Sequence, residues 1–261
     1  MFTDVQKDCG VLLLSMAYFA QILVICPISP LCRDQSRKKA PEMVLTNAQT
    51  DTEDGQQGRS TREDWLKLAL QILQRDGIDR VKVQIMAKQL NVSRSSFYWF
   101  FKNPQDLHEQ MLDQWLTKNT GPIIQRALRP AQTISEAILN VFECWVNDEL
   151  FDPHLDVAVR LWARRAVEVL KVVASADQQR LAALTGMFAR HGFAEEDAIV
   201  RARVLYFTQI GQYTLDFRED MITRFSRTRP YVLAFCGQEP SEKELTRFKS
   251  VVMSAIQAER G

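Results

Sequence analysis

Residues 83–102 read VQIMAKQLNVSRSSFYWFFK, and this stretch decides the fold. Val83, Met86, Ala87 and Leu90 fall at i, i+3, i+4 and i+7, one apolar face of a short helix. Asn91 follows the last of them. It tolerates the left-handed conformation that ends a helix, and Val92 can fold an apolar contact back. Ser93 is placed to cap a second helix by accepting from a free backbone N–H. That helix carries Arg94, Ser95, Ser96, Tyr98 and Trp99 beside apolar Phe97, Phe100 and Phe101. Two helices so closely joined match the helix-turn-helix outline. The second would present small polar, basic and aromatic side chains to a groove. An ordinary helical hairpin in a core has the same outline, so the flanking chain has to decide.

On the N-terminal side, Thr61 with Asp64 resembles a capping box. Trp65, Leu68, Ala69, Ile72 and Leu73 then mark one helix face, ended by Gly77; Ile78 to Lys82 connects it to the motif. On the C-terminal side, Asn103 is a good N-cap and Pro104 suits the first helical position. Leu107, Met111, Leu112 and Trp115 continue that helix to about residue 119, where Gly121-Pro122 is expected to stop it.

The whole chain has 261 residues, 46% hydrophobic and 25% charged, the mix of a folded globular protein. Only 10 Gly and 9 Pro fit long helices and few turns. The net charge of +1 hides an uneven distribution: −2 over 1–58, +3 over 59–120 and 0 over 121–261. The helix-turn-helix region is the net-positive part, which supports a polyanionic partner. The five Cys are odd in number, contain no CxxC pair and give neither a disulfide framework nor a zinc site. A reducing, cytoplasmic setting is the simpler inference.

Residues 11–28 are almost wholly apolar, and three readings compete. A signal peptide conflicts with Asp4 and Asp8 against a single Lys7 before it. A membrane span is near the lower length limit, with Arg33, Arg37, Lys38 and Lys39 behind it. The third reading, which we prefer, is a start placed too far upstream, with Met43 as the alternative first residue. Residues 46–60 are polar and read as a disordered arm.

From Thr133 the chain is helical again. Ile134, Ile138, Val141, Phe142 and Trp145 form one stripe, broken by Asp152-Pro153. Leu155, Val159, Trp162 and Ala166 form another. Further helices span Val169 to His191, ending at Gly192, and about Glu195 to Phe217. A looser stretch follows Pro230, and Leu245 to Gln257 makes the last helix. The expected fold is all-α. The expected domains are a leader and arm over 1–60, a DNA-binding domain over 61–120, and a helical effector-binding and dimerisation domain over 121–261.

Residues 62–118 resemble the DNA-binding domain of the TetR family of transcriptional regulators. The resemblance rests on the helix ending in Gly77, on Ala87 and Leu90, on Val92-Ser93, on Phe97-Tyr98-Trp99-Phe100, and on Lys102-Asn103-Pro104-Gln105-Asp106-Leu107. Val83 stands where the family usually has Thr or Ser, Asn91 where it has Gly, and Pro104-Gln105 where a phosphate-meeting Lys is common. The resemblance implies that Arg94, Ser95 and Ser96 face base edges, Arg being suited to guanine by its bidentate fork. It implies that Tyr98 and Trp99 meet phosphate and sugar, and that Lys82, Gln84 and Lys102 position the backbone. An aromatic at helical spacing is as often core, so Trp99 has that reading too. Phe97 with Phe100 or Phe101 is expected to hold the helix to its own core.

The phrases Asp152-Pro153-His154-Leu155-Asp156, Arg160-Leu161-Trp162-Ala163 and Arg201-Ala202-Arg203-Val204-Leu205-Tyr206 are similar to C-terminal domains of a TetR-like group. That similarity implies a homodimer through the last two long helices, with Ala198, Ala202, Tyr206, Gln209 and Tyr213 as the seam, against the alternative of packing within the chain. It also implies a small-molecule effector between the C-terminal helices; Phe142, Trp145, Trp162, Tyr206 and Gln209 are the candidate contacts. The expected function is a ligand-responsive repressor of double-stranded DNA, reading a near-palindrome. A membrane-tethered regulator through 11–28 and a helical partner-binding protein that no longer binds DNA are the alternatives. His108, His154 and His191 are far apart, and no Gly-rich phosphate loop or GxSxG elbow occurs, so no metal, no cofactor and no enzyme activity are expected. The acidic residues read as scattered, solvated charges.

Overall fold

The computed structural model describes residues 60–217 and 219–258. The apolar stretch 11–28, Met43 and nearly all of the polar arm lie outside them. Within them every regular element is helical and no strand occurs. No helix among the described residues is long and apolar enough to cross a membrane.

The N-terminal group begins with α1, Arg62–Asp76. Its start is the expected capping box: Thr61 Oγ1 accepts from Asp64 N at 3.2 Å, and the Asp64 carboxylate accepts from Thr61 N at 2.8 Å. These bonds hold the Asp64 carboxyl below its usual range. Gly77 ends the helix at φ 81°, where a side chain would be strained. A short 3₁₀ turn, Ile78–Arg80, leads to α2, Val83–Leu90. Asn91 closes α2 in the left-handed region, φ 55° and ψ 44°. Val92 N donates to Ala87 O at 3.0 Å and Asn91 N to Lys88 O at 3.3 Å, the paired bonds of a Schellman ending.

After Arg94–Trp99 comes α3, Pro104–Trp115, capped by Asn103 Oδ1 accepting from Asp106 N at 2.9 Å. Gly121-Pro122 does not end the helical path. Residues Leu116–Thr120 widen into a π turn, with Gly121 N bonded to Leu116 O, and α4, Gly121–Leu128, continues beyond it. Proline is tolerated because it sits in the first turn, where its missing N–H breaks no ladder bond.

The C-terminal group comprises α5 (Ile134–Trp145), α6 (Pro153–Ala163), α7 (Val167–Arg190), α8 (Glu195–Thr214), α9 (Met221–Ser226), α10 (Thr228–Cys236) and α11 (Glu242–Ala258). The stretch around Pro230 is more regular than its sequence suggests, because this proline too falls in a first turn, that of α10. Among the described residues the cysteines Cys144 and Cys236 are free and buried. Burial pushes the Cys144 thiol up to about 12.

Two apolar clusters form the interior. One joins α4, α5, α7, α8, α10 and α11 through residues such as Ile138, Phe188, Leu205 and Phe248. The other joins Trp65, Met86, Phe97, Phe101, Met111 and Trp115 to Leu155, Val159, Trp162 and Val173. The helix-turn-helix group is therefore packed directly on α6 and α7. Truncating one of its large buried aromatics costs about 3–5 kcal/mol.

Candidate nucleic-acid interface and effector cavity

The recognition segment, Arg94–Trp99, is a 3₁₀ helix rather than the α-helix expected. Its serines explain part of the difference. Ser93 occupies the N-cap position, but its side chain caps nothing; it shares a 2.8 Å hydrogen bond with Ser95 Oγ. Ser96 Oγ donates to Ser93 O at 2.6 Å. Serines bonded to nearby groups in this way compete with the α-helical ladder. Phe97 is fully buried, edge-on to Trp65 at 5.3 Å and stacked on Phe101 at 5.0 Å. These rings fix the segment to its base.

The opposite side is open. Trp99 is 83% exposed and Tyr98 59% exposed. Trp99 is therefore not a core residue. Lys82, Gln84, Arg94, Ser95 and Lys102 are exposed as well, while Ser96 is half-buried and already hydrogen-bonded. So the structure brings seven of the eight sequence candidates into solvent on and beside the helix-turn-helix. No side chain caps α2, consistent with Val83 at its first position. Lys102 N donates to Asp106 Oδ2 at 2.8 Å, the largest cause of a lowered Asp106 carboxyl. This bond fixes the entry to α3 and leaves the Lys102 ammonium outward.

This geometry meets a match in sequence. Residues 66–111 match the family model described as bacterial regulatory proteins, tetR family. The helix-turn-helix segment is thus of the TetR type over these residues. No curated protein matches the chain in sequence. Solved structures with the same helical fold include the transcriptional regulator FadR from Bacillus subtilis, in complex with stearoyl-CoA. It is 15% identical, with 67% of this chain and 98% of that one covered and a TM-score of 0.52. GusR of Salmonella enterica is also 15% identical, over 74% of this chain and 95% of its own, at a TM-score of 0.47. The chain thus carries a TetR-type DNA-binding domain within an all-α fold.

The C-terminal helices line a partly open cavity of ≈ 50 Å³. Of the five sequence candidates, Phe142, Trp145 and Gln209 line it. Trp162 does not: it packs on His108 of α3, with ring centroids 5.2 Å apart. Tyr206 does not either; its hydroxyl belongs to a buried ionic cluster. Sequence reasoning missed Glu219, Arg224, Phe225, Tyr231 and Phe248, which also line the cavity. Four of them lie in 218–244, where no helix was read from the sequence; Phe248 lies on α11, whose helix was legible but not the face it turns to the cavity.

Gln209 is only 7% exposed, and among the described residues its Nε2 has no hydrogen-bond partner. Glu219 is paired with Arg227. Burial raises the nearby Tyr213 phenol on α8 above its ordinary value, against the charge of Arg224 and a hydrogen bond with it.

The ionic cluster lies one turn along α8. Tyr206 Oη donates to Asp177 Oδ1 at 2.6 Å and accepts from Arg160 at 2.9 Å and Arg180 at 2.8 Å. Asp156 accepts from Trp115 Nε1 at 3.0 Å, Arg160 Nε at 2.7 Å and Arg180 Nη1 at 3.2 Å. Arg180, fully buried, also donates to Thr120 Oγ1 of the π turn at 3.1 and 2.9 Å, and lies over the Trp115 ring at 5.0 Å. Burial pushes the Asp177 carboxyl up, but Arg160's hydrogen bonds and charge outweigh it, and the net shift is downward. These carboxylates are not scattered, solvated charges; Asp156 is 1% exposed.

The residues expected at a dimer seam pack within the chain instead. Ala198, Ala202, Tyr206 and Gln209 are buried within the chain, mostly against its own core, and Tyr213 stacks on Phe151 at 5.6 Å. Another face of α8 carries Val200, Val204 and Phe207 exposed at 53%, 47% and 56%.

Proposed function

We propose that this regulator is a homodimeric repressor that a small molecule releases from a near-palindromic operator. The observation that carries the reading is the open face holding Arg94, Tyr98 and Trp99 on a domain packed directly onto the helices around the cavity. Arg94 and Ser95 read base edges, Tyr98 and Trp99 meet sugar and phosphate, and Lys82, Gln84 and Lys102 position the backbone. A dimer would seat two such heads in successive major grooves about 34–36 Å apart. The exposed Val200, Val204 and Phe207 stripe of α8 is the surface offered to the second copy. The chain acts in the cytoplasm, where the DNA is.

A bound effector acts only if it prefers the state that does not fit DNA. Gln209 and Tyr206 stand three residues apart on α8, so a ligand that moves the cavity wall also moves the Tyr206 hydroxyl. That hydroxyl is tied through Arg180 to Thr120 and through Asp156 to Trp115, both at the C-terminal end of the DNA-binding domain. The test is a gel shift of the full-length protein on the DNA upstream of its own gene, at moderate salt with non-specific competitor. A specific complex with dimer stoichiometry is expected. A folded dimer that shifts no fragment would overturn the reading.

A further inference from the structure

The cavity has a chemistry of its own, and it narrows the effector class; this step rests on the proposed ligand response. Its wall is aromatic. Phe142 meets Trp145, Phe235 and Phe248 at centroid distances of 5.5, 6.2 and 6.2 Å, and Phe225 lies near-parallel to Phe248 at 6.3 Å. Rings in such a wall present both edges and faces, and a flat ring can meet either. Aliphatic chains gain no such complementarity.

The polar groups are few, and they lean one way. The orphan Gln209 Nε2 is a donor, and a buried donor without a partner is costly to keep. It calls for an acceptor oxygen on whatever enters. Glu219 is already closed by Arg227, while Arg224 stands on the same wall. Arg224 is the cation on the cavity wall itself, with Asp148 and Asp220 beside it in the adjoining hollow. An entering carboxylate gains Arg224 as a partner, where a cation meets it as a like charge.

Size sets the remaining limit. A cavity of ≈ 50 Å³ holds a few waters at most, against the about 150 Å³ that takes up benzene in an engineered apolar site. Entry of even one ring requires the wall to move. The short helix α9 is the wall element that carries Arg224 and Phe225. A ligand that opens the cavity has, by that fact, a preference between two states.

We infer that the effector is a small single-ring aromatic carboxylate, its ring among Phe142, Phe225 and Phe248 and its carboxylate accepting from Gln209 with Arg224 balancing the charge. The probes are benzoate, cyclohexanecarboxylate and benzylamine, titrated calorimetrically into the full-length protein without DNA. Benzoate is expected to bind saturably, at least threefold tighter than cyclohexanecarboxylate and at least tenfold tighter than benzylamine. Gln209→Leu removes the orphan amide, so it should unfold no earlier than the parent while losing benzoate affinity tenfold or more. Arg224→Gln should lower benzoate affinity but leave binding of neutral benzamide unchanged. No benzoate binding, equal binding of the three probes, or unaltered affinity in a folded Gln209→Leu protein each overturn the assignment. Specific DNA binding without benzoate binding would sink this ligand class alone. Benzoate binding without any DNA complex would sink the regulator reading alone.

Discussion

The reading head and the junction behind it treat polar side chains in opposite ways. On the head, Arg94 and Trp99 stand in solvent, and Tyr98 keeps only an edge-on contact with Phe97. At the junction, Arg180 and Asp156 are almost wholly buried, and each makes several bonds across helices. Side chains of the first kind are available to a partner because stability does not depend on them. Those of the second kind fix the geometry because removing one strands the others. The same residue type, arginine, thus serves recognition in one place and architecture in the other.

The largest effect should come from breaking the junction. Arg180→Ala leaves Asp156 buried beside fewer donors and removes the ring contact with Trp115. Loss of one partner from a buried charge pair costs about 3–5 kcal/mol. Urea unfolding followed by circular dichroism should show the midpoint falling at constant slope. A change under 1 kcal/mol would mean that water reaches Asp156 freely.

Sequence alone could not anticipate this contrast. Local signals were legible: Thr61 and Asn103 each cap the helix that follows them, while Asp152, read only as a break, caps the next helix as well. The helix periodicities placed the buried Trp65 and Leu107 correctly, because an apolar stripe and its core need no distant information. Long-range pairings were not legible. Asp156, Arg160, Asp177 and Arg180 look like surface charges until the fold brings α6 and α7 together. The α8 seam failed for a related reason. Ala198, Ala202 and Tyr206 have the spacing of a packed face, and spacing does not say whether the partner is another chain or the same one. At the candidate site, exposure removed the core reading of Trp99, which periodicity alone could not do. Gly121-Pro122 misled because a proline in a first turn and a proline that ends a helix read alike.

On the reading head the expected effects are on binding and not on folding. Arg94→Ala should weaken the specific operator by about 1–3 kcal/mol and relax preference at its base pair. Lys102→Ala should weaken all sequences alike and lower the salt slope by about 1. Competition gel shifts over a salt series separate the two. Both variants should unfold within about 0.5 kcal/mol of the parent, as surface changes do. An Arg94→Ala protein with unaltered base preference would remove that residue from the reading set.

The smallest effect sharpens the boundary between the two regions. His108 of α3 sits edge-on to Trp162 of α6, its buried Nε2 without a hydrogen-bond partner among the described residues, and burial lowers its pKa. The neutral ring is therefore the form that packs. A folded pKa depressed below the unfolded value of about 6.5 gives stability that is complete above that pH and is lost as pH falls through the folded value. Asp177, also depressed, acts the same way but at lower pH, below the ordinary carboxylate range. His108→Phe should flatten the stability profile between about pH 7 and 5, while leaving the acid limb at lower pH in place. A parent profile already flat in that window would show that the His108 ring is solvated.

The 3₁₀ winding of Arg94–Trp99 has a consequence for what a groove would meet. Each residue of such a helix advances about 120° around the axis, against about 100° in an α-helix. Relaxing the segment to α-helical winding would turn Trp99 by about 100° relative to Arg94, five residues earlier, and shorten the stretch between them by about 2.5 Å. The face shown to DNA is thus a property of pitch as well as of side chains. A change in the near-ultraviolet dichroism of Trp99 on operator binding, absent in Trp99→Phe, would mark such a rewinding. A single stretch of chain then holds two possible alphabets, and the serines that bond back to it choose which one is displayed.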